Sequence, residues 1–180
     1  MKTHTFSAPL PRIACALGLS LMSACTTPTA TIQDDLHRRL LTLDTHLDIP
    51  AQFGRAGWSF GDRHNLTNDV SQVDLPRMED GNLDGGFFVI FTDPGPLTPA
   101  GYADAQSKAL RRSAEIDEML ARFPDRIAPA RTAADAMRLH ASGKLIAYKS
   151  IENSYPLGED VSMLAEFQRQ GVRLAGPVHT

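Results

Sequence analysis

The chain has 180 residues, a formal net charge of −3, 42% hydrophobic residues and 22% charged residues. This length suffices for one domain with a sizeable core, and the small net charge gives no reason to expect a nucleic-acid partner or an anionic membrane surface. Both cysteines, Cys15 and Cys25, lie near the start, so the rest of the chain has no disulfide framework and no thiolate metal site.

Residues 1–25 have the features of an export signal. Lys2 and Arg12 precede an apolar run that extends from Ile13 to Cys25. The run is too short to span a bilayer as a helix, but it suits the apolar core of a signal peptide. Two small residues stand immediately before Cys25, as a signal peptidase requires.

The stretch that ends at Cys25 also resembles a bacterial lipobox, in which the cysteine is lipidated and becomes the new N-terminus. We therefore expect a lipoprotein-type signal peptide at 1–25, a tether at 26–32 and a folded domain at 33–180. The protein is then exported to the periplasmic side and held in the outer membrane through a lipid anchor on Cys25. Plain secretion and a buried helix are the alternatives.

Strand and helix patterns alternate along the rest of the chain, which predicts an α/β fold with parallel strands joined by helical crossovers. The long segment from Ala51 to Asp84 is rich in turn formers and is expected to be a loop that helps to build a site. The predicted strands are a segment ending near Asp48, residues 85–92, residues 144–152 and a segment beginning at Val172. The predicted helices are 99–123, 132–142 and 159–170.

The first strand ends in "LTLDTHLDIP", residues 41–50, with His46 and Asp48 two positions apart. Residues i and i+2 of a strand point to the same face, so the two side chains converge at its carboxyl end, where α/β barrels place their active sites. Imidazole and carboxylate are both ligands for zinc or a similar divalent metal. A histidine that only donates to a neighbouring aspartate is the alternative for this pair.

Two further strands end in side chains that bind metals or transfer protons. Glu152 follows the apolar strand "LIAYKSIE", and a glutamate in that place is unlikely to be buried without a cation partner. His179 stands at the end of the fourth strand. Taken singly, Glu152 is also compatible with a solvated or salt-bridged carboxylate and His179 with an exposed histidine, whereas the joint pattern favours a metal or acid–base site.

The sequence resembles the membrane (renal) dipeptidase family, zinc peptidases with amidohydrolase-like barrels. The resemblance runs from about Leu41 to Thr180 and rests on four segments in the same order and spacing: "DTHLDIP", "VDLPRMEDGNLDGGFFVIF", "SIENSYPLGEDVSML" and "QGVRLAGPVH". It implies a partial (β/α)8 TIM-like barrel of about four parallel strands with outer helices. Residues 33–180 then form the N-terminal half of a metallo-dipeptidase barrel.

The resemblance also implies roles for the strand-end residues. His46 and Asp48 would bind one metal, and Glu152 would bridge two zinc ions. His179 would contact the substrate and help to stabilise the transition state. The two ions would acidify a water that attacks the peptide carbonyl. The substrate would be a dipeptide with free termini, and a D-residue in its second position would be accepted.

The sequence departs from the family pattern in ways that put activity in doubt. Family members are about twice as long and close a barrel of eight strands. The second zinc site is incomplete, because its two histidines come from later strands. His4, His37, His64 and His140 do not occupy the matching positions and are interpreted as surface or helix-face histidines. We therefore expect at most one weakly bound zinc and little or no activity from these residues alone.

Three functions remain open on this sequence. The first is a zinc-dependent dipeptidase, apparently truncated and inactive alone. The second is a non-catalytic, lipid-anchored half-barrel remnant or binding module. The third is a metal-dependent hydrolase of another amide or a lactone. The exposed edge of a half barrel also leaves oligomer formation open.

Overall fold

A computed structural model of the chain describes residues 36–67 and 69–179. The predicted signal peptide at 1–25, the tether at 26–32 and the lipidation site at Cys25 lie outside the described residues. Within the described part, no helix combines the length and the apolar character needed to cross a membrane.

The described residues form one five-stranded parallel sheet with helices between the strands. The strands are β1 Leu43–Leu47, β2 Gly85–Phe91, β3 Ile127–Pro129, β4 Leu145–Glu152 and β5 Val172–Gly176. The helices are α1 Leu75–Asp80, α2 Pro99–Arg122, α3 Ala133–Ala141 and α4 Ser162–Arg169. Two 3₁₀ turns, Ile49–Gln52 and Tyr155–Leu157, follow β1 and β4. The predicted parallel α/β architecture is confirmed.

Strand β4 lies at the centre of the sheet. On one side it pairs with β2, from Gly85 opposite Ile146 to Phe91 opposite Glu152, and β1 pairs with the far edge of β2. On its other side β3 pairs with the first residues of β4 and β5 with the last ones. Because every pair is parallel, the carboxyl ends of β1, β2, β4 and β5 share one edge of the sheet.

The sheet has five strands where about four were predicted, and the additional strand is β3. That strand has only three residues, so its sequence shows no periodicity. It ends at Pro129, which has no N–H to donate to a sheet ladder. The other predicted strands and helices are confirmed, with ends that shift by up to about three residues.

The two faces of the sheet bury different helices. Phe88, Ala147 and Ile151 belong to a core that includes residues of α2 and α4, whereas Ile146 and Tyr148 belong to a second core with residues of α3. The predicted outer position therefore holds for α2 and α4 but not for α3. A capping box at Thr132 starts α3 directly after β3, and the Tyr148 hydroxyl donates to the Thr132 carbonyl over 2.7 Å, which holds α3 on the second face.

The segment from Ala51 to Asp84, expected to be a long loop, is a packed part of the fold. Phe53, Trp58 and Phe60 form an aromatic cluster that joins the core under α2. The segment also contains α1, whose start is capped by the buried side chain of Asp74. The sequence did not predict these features, because the apolar residues of this segment stand among turn formers and show no regular period.

Candidate functional site

The end of β1 directs two polar side chains away from the core. Leu47 and Ile49 are buried, and they alternate with His46 and Asp48, whose side chains are 49% and 73% exposed. The His46 backbone N–H donates to the Asp44 carboxylate over 2.8 Å. The 3₁₀ turn begins immediately after Asp48, so this residue marks the point at which the strand changes direction.

The end of β4 places Glu152 on the same edge of the sheet. Its seven predecessors in the strand are buried, and Glu152 is the first to reach solvent. Asn153 follows in the left-handed region, with φ of 70°, a conformation that asparagine tolerates better than most residues. Its side-chain N–H donates to the Thr92 carbonyl and its side-chain oxygen accepts from the Tyr155 N–H, so the strand end is fixed.

His46, Asp48 and Glu152 meet at this edge. The Nε2 atom of His46 lies 3.2 Å from Asp48 Oδ1 and 3.2 Å from Glu152 Oε2. One ligand atom from each of the three residues lies within 4.8 Å of the others, and no other such group of three or more His, Cys, Asp or Glu residues occurs in the described part of the chain. The three side chains predicted as metal ligands are therefore brought together.

His179 completes the predicted set. Its Nε2 atom lies 3.8 Å from Glu152 Oε1, whereas His46 lies 3.2 Å from the other carboxylate oxygen, Oε2. Its ring packs against Phe91 at the end of β2, with 5.0 Å between ring centres. All four predicted side chains thus lie at one edge of the sheet, and their chemical roles stay predictions.

An open cleft of about 510 Å³ lies over these residues, and two of its basic side chains were not expected. Lys108 and Arg112 lie one helical turn apart on α2 and both line the cleft. A hydrogen bond from Lys108 to Asp104 raises the pKa of the lysine. The spacing of four residues in a helix was the only sequence signal for this pair, and it does not show which face of the helix points to the site.

The remaining described histidines lie elsewhere. His37 is exposed, and His140 lies on α3 with Nδ1 3.1 Å from Asp84. The interpretation of His64 as a surface or helix-face histidine is wrong. Its side chain is 13% exposed, stacks on Trp58 and lies outside the helices, because the aromatic cluster of the preceding segment covers it. His4 lies outside the described residues.

Comparisons with known sequences place the chain in a family. The model of the membrane dipeptidases, peptidase family M19, matches residues 31–180. Dipeptidase ataJ of Aspergillus terreus is 26% identical over 129 residues, which are 66% of this chain and 31% of that protein. Dipeptidase tcpJ of Claviceps purpurea is 31% identical over 124 residues, which are 66% of this chain and 29% of that protein. The aligned part is thus about a third of each relative's length.

Solved structures agree with the sequence comparison. The probable dipeptidase PvdM of Pseudomonas aeruginosa matches with a TM-score of 0.69 and 29% identity over 85% of this chain and 38% of its own. A metallopeptidase of Rhodobacter sphaeroides, liganded with a phosphinate mimic of the dipeptide L-Ala-D-Ala, matches with a TM-score of 0.64 and 25% identity over 77% of this chain and 45% of its own. By its sequence and by this fold, the chain belongs to the membrane dipeptidase family of metallopeptidases, a family of hydrolases.

Proposed function

We propose that the chain provides the first metal site of a zinc-dependent dipeptidase, with His46, Asp48 and Glu152 as ligands. The observation that carries the proposal is the convergence of three ligand atoms from two strands that are not neighbours in the sheet. Membership of a metallopeptidase family supports the same assignment. The non-catalytic alternative has no comparable observation in its favour.

Two of the three distances between the ligand atoms match those of a tetrahedral zinc site. Zinc binds histidine nitrogen and carboxylate oxygen at about 2.0–2.2 Å, so two ligand atoms of a tetrahedral site lie about 3.3 Å apart. The distances from His46 Nε2 to Asp48 and to Glu152 are both 3.2 Å. Three protein ligands also leave one position open for water or substrate, as catalytic zinc sites do.

The protein side chains have distinct tasks in this proposal. A bound zinc ion polarises the peptide carbonyl and acidifies a water molecule. Glu152 Oε2 contacts His46, and Oε1, which lies towards His179 at the edge of the cleft, would accept a proton. His179 Nε2, 3.8 Å from that oxygen, is placed to donate a hydrogen bond to the developing oxyanion of the substrate.

A dipeptide is the proposed substrate class. The cleft is open and large enough for a molecule of this size, and Lys108 adds a positive charge to the wall beside the metal ligands, next to the acidic Asp93. Positive charge there favours a substrate with a free carboxylate. The Rhodobacter relative binds a mimic of L-Ala-D-Ala, which supports L-Ala-D-Ala as the first dipeptide to test.

These residues alone are expected to hold one zinc ion weakly and to hydrolyse dipeptides slowly or not at all. In the described part of the chain, the proposed ligand group contains three residues, and Glu152 is the member that would have to serve a second ion as well. A lone carboxylate binds zinc poorly, and the second ion would otherwise contribute to acidifying the water. A longer protein that supplies further histidines would be active.

Metal binding is the direct test. Calorimetric titration with Zn²⁺ is expected to give one weak site, which Glu152→Gln and His46→Ala abolish. The control is His140→Ala, since His140 lies on α3 and does not belong to the ligand group. Saturable binding that survives Glu152→Gln would contradict the assignment, and absence of zinc binding to the folded wild type would favour the non-catalytic alternative.

Activity and the role of His179 need a second experiment. L-Ala-D-Ala hydrolysis with added Zn²⁺ is expected to be slow for this chain. His179→Ala should leave the zinc affinity nearly unchanged and weaken binding of the phosphinate mimic, because His179 contacts the substrate and not the metal in this proposal. Fast hydrolysis that Glu152→Gln abolishes would show that these residues are sufficient and that the expected weakness is wrong.

We further propose that the protein is exported as an outer-membrane lipoprotein anchored through Cys25. The apolar run and the small residues before Cys25 support this location. Mass spectrometry of the mature N-terminus is expected to find a lipidated Cys25. A cleaved but unmodified N-terminus would indicate plain secretion, and an intact Met1 in the cytoplasmic fraction would contradict export.

A further inference from the structure

We propose that Arg112 is a positioning residue that fixes the Asp48 carboxylate in the metal site by holding the turn that follows it. The inference rests on the proposed zinc site. Arg112 lies in the middle of α2, 64 positions along the chain from Asp48, and reaches the 3₁₀ turn at the end of β1.

The pairing of β1 with β2 does not hold Asp48 in place. The last pair between β1 and β2 is Leu47 with Phe88, and the register between the two strands slips between Asp44 and Leu47. Asp48 lies one position beyond that pair, and its side chain forms no capping bond to the turn that it starts. With 73% of its side chain exposed, packing does not fix it either.

Arg112 supplies a direct link to this turn. Its Nη1 group donates to the Pro50 carbonyl oxygen, two residues after Asp48. The same nitrogen lies 2.7 Å from Glu115 Oε2, one helical turn further along α2. The side chain of Arg112 is only 26% exposed, so water screens these contacts less than at a free surface.

Glu115 contacts the chain at Gly54, two residues beyond the turn. A Cβ atom placed on Gly54 would lie 2.8 Å from Glu115 Oε1, so the glutamate packs directly on the glycine backbone. Helix α2 thus contacts the segment after Asp48 at Pro50 through Arg112 and at Gly54 through Glu115. Ile49 and Pro50, which lead from Asp48 into this segment, are buried, so its first residues have little freedom to shift.

The link determines where the Asp48 carboxylate stands. The Pro50 carbonyl and the Ala51 N–H belong to one planar peptide unit, and that N–H donates to the Asp48 carbonyl over 3.0 Å, so a displacement of the Pro50 carbonyl is passed on to Asp48. A planar guanidinium has five N–H donors and can serve a carbonyl and a carboxylate together, whereas a lysine ammonium acts as a point charge. Arg112 therefore sets the distance between Asp48 and the other two ligands.

The test is the zinc affinity of Arg112→Met, measured by calorimetry on the full chain. Loss of a residue that orients a metal ligand typically lowers metal affinity by about 10- to 100-fold, and we expect about 10-fold here because Arg112 acts through the backbone. Removing a positive charge near the site would by itself strengthen cation binding. A weaker zinc affinity in Arg112→Met would therefore come from a changed position of Asp48 and not from the lost charge. Arg112→Lys should give an intermediate value.

Arg111→Met is the matched control, because Arg111 is exposed on the same helix and its loss changes the charge equally. Its zinc affinity should not fall below that of the wild type. Thermal unfolding of the metal-free proteins should show that Arg112→Met is folded, and hydrogen exchange should show faster opening at the amides of residues 51–54. If Arg112→Met does not fold, Arg112→Lys decides, and a wild-type affinity in that variant overturns the inference.

The outcomes separate the two proposals. Zinc binding by the wild type with an unchanged affinity in folded Arg112→Met would overturn the positioning role and leave the proposed metal site intact. Absence of zinc binding to the folded wild type would overturn the metal site and, with it, the role of Arg112. A lower affinity in Arg112→Met beside an unaffected Arg111→Met would establish the positioning role.

Discussion

Oε2 of Glu152 lies 3.2 Å from Nε2 of His46, although their strands, β4 and β1, are separated by β2. Neighbouring strands lie about 4.8 Å apart, so the backbones of β1 and β4 are about 10 Å apart across the sheet. The two side chains bridge this distance above the end of β2. The candidate site therefore depends on how closely β1 and β4 approach β2.

Gly86 in β2 provides a test of that dependence. A Cβ atom at this position would lie 2.6 Å from a methyl group of Leu47 and 2.8 Å from the backbone oxygen of Asp44. The leucine side chain can move, but the Asp44 oxygen moves only if β1 shifts. Gly86→Ala is expected to cost about 1–3 kcal/mol of unfolding free energy and to weaken zinc binding, as measured by urea unfolding and calorimetry.

Gly176 in β5 is the control for this substitution. Its nearest neighbour would be the Ile151 backbone oxygen, 3.9 Å from an added Cβ, so an alanine fits without displacement. Gly176→Ala should leave the unfolding free energy within about 0.5 kcal/mol of the wild type. Equal stabilities and zinc affinities in the two variants would show that the approach of β1 to β2 does not limit the site.

The strand-end residues of the site could be predicted from sequence because each depends on a local pattern. Alternation of two positions puts His46 and Asp48 on one face, and a buried run of apolar residues makes Glu152 conspicuous at its end. Parallel pairing then requires the carboxyl ends of these strands to share one edge. None of these steps needs knowledge of side-chain packing between distant segments.

The rest depends on contacts that no local pattern encodes. The link from Arg112 to Pro50 spans 62 positions, and the rotation of α2 about its axis decides whether residue 112 or 111 reaches the turn. The position of α3 on the second face depends on β3, a strand of three residues whose sequence shows no periodicity. Lys149 could be predicted only in part. A charged residue in an apolar strand needs a partner, but the sequence does not show which residue that partner is.

Asp74 is expected to stabilise the fold in a pH-dependent manner. Burial raises the pKa of its carboxyl, but hydrogen bonds from the His64 N–H and from Arg77 lower it more, so it lies below the ordinary value of 3.8. A carboxyl with a depressed pKa in the folded state stabilises the protein above its unfolded-state pKa, and this contribution is lost as the pH falls through the folded-state value. The relevant window lies below about pH 4.

Asp74→Asn measures this contribution. The buried carboxylate accepts three N–H bonds of 2.7–2.8 Å, and an amide in its place would direct its own N–H groups at some of these donors. We expect a loss of about 3 kcal/mol near neutral pH, from the removal of charged hydrogen bonds. Urea unfolding at several pH values should show the difference from the wild type shrinking below about pH 4. A difference that stays constant down to pH 3 would contradict the assigned pKa direction.

Thr132 is expected to stabilise α3 through its capping box. Its hydroxyl accepts from the Asp135 N–H, and the Asp135 carboxylate accepts from the Thr132 N–H. Thr132→Ala should lower the unfolding free energy by about 1 kcal/mol. Thr132→Ser keeps the oxygen and should recover most of the loss in the same urea titration. A serine variant as unstable as the alanine variant would show that the methyl group, rather than the cap, is what matters.

Lys149 and Asp117 test whether the buried charge in β4 contributes net stability. All three N–H groups of Lys149 have acceptors, namely the Ser113 carbonyl, the Ser113 hydroxyl and Asp117 Oδ1, at 2.8–3.0 Å. Burial lowers the pKa of Lys149, and the contact with Asp117 offsets this only in part. The partners of Lys149 therefore compensate only part of the cost of burying its charge.

Removal of Asp117 should lower the unfolding free energy more than removal of the Lys149 charge. Asp117→Asn leaves a buried ammonium with weaker compensation, and we expect a loss of about 1–2 kcal/mol, less than for a fully buried pair because Asp117 is 57% exposed. Lys149→Met replaces the charge with an apolar chain of similar length and should change the unfolding free energy by less than about 1 kcal/mol at neutral pH.

The pH dependence gives the sign of the lysine contribution. Because its folded-state pKa lies below the ordinary 10.5, the folded protein binds fewer protons than the unfolded chain as the pH rises between these two values. The unfolding free energy of the wild type should therefore increase relative to that of Lys149→Met over this alkaline range. Urea unfolding of both proteins at neutral and alkaline pH measures it. A loss above about 3 kcal/mol in Lys149→Met at neutral pH would instead show that the buried ion pair is a net source of stability.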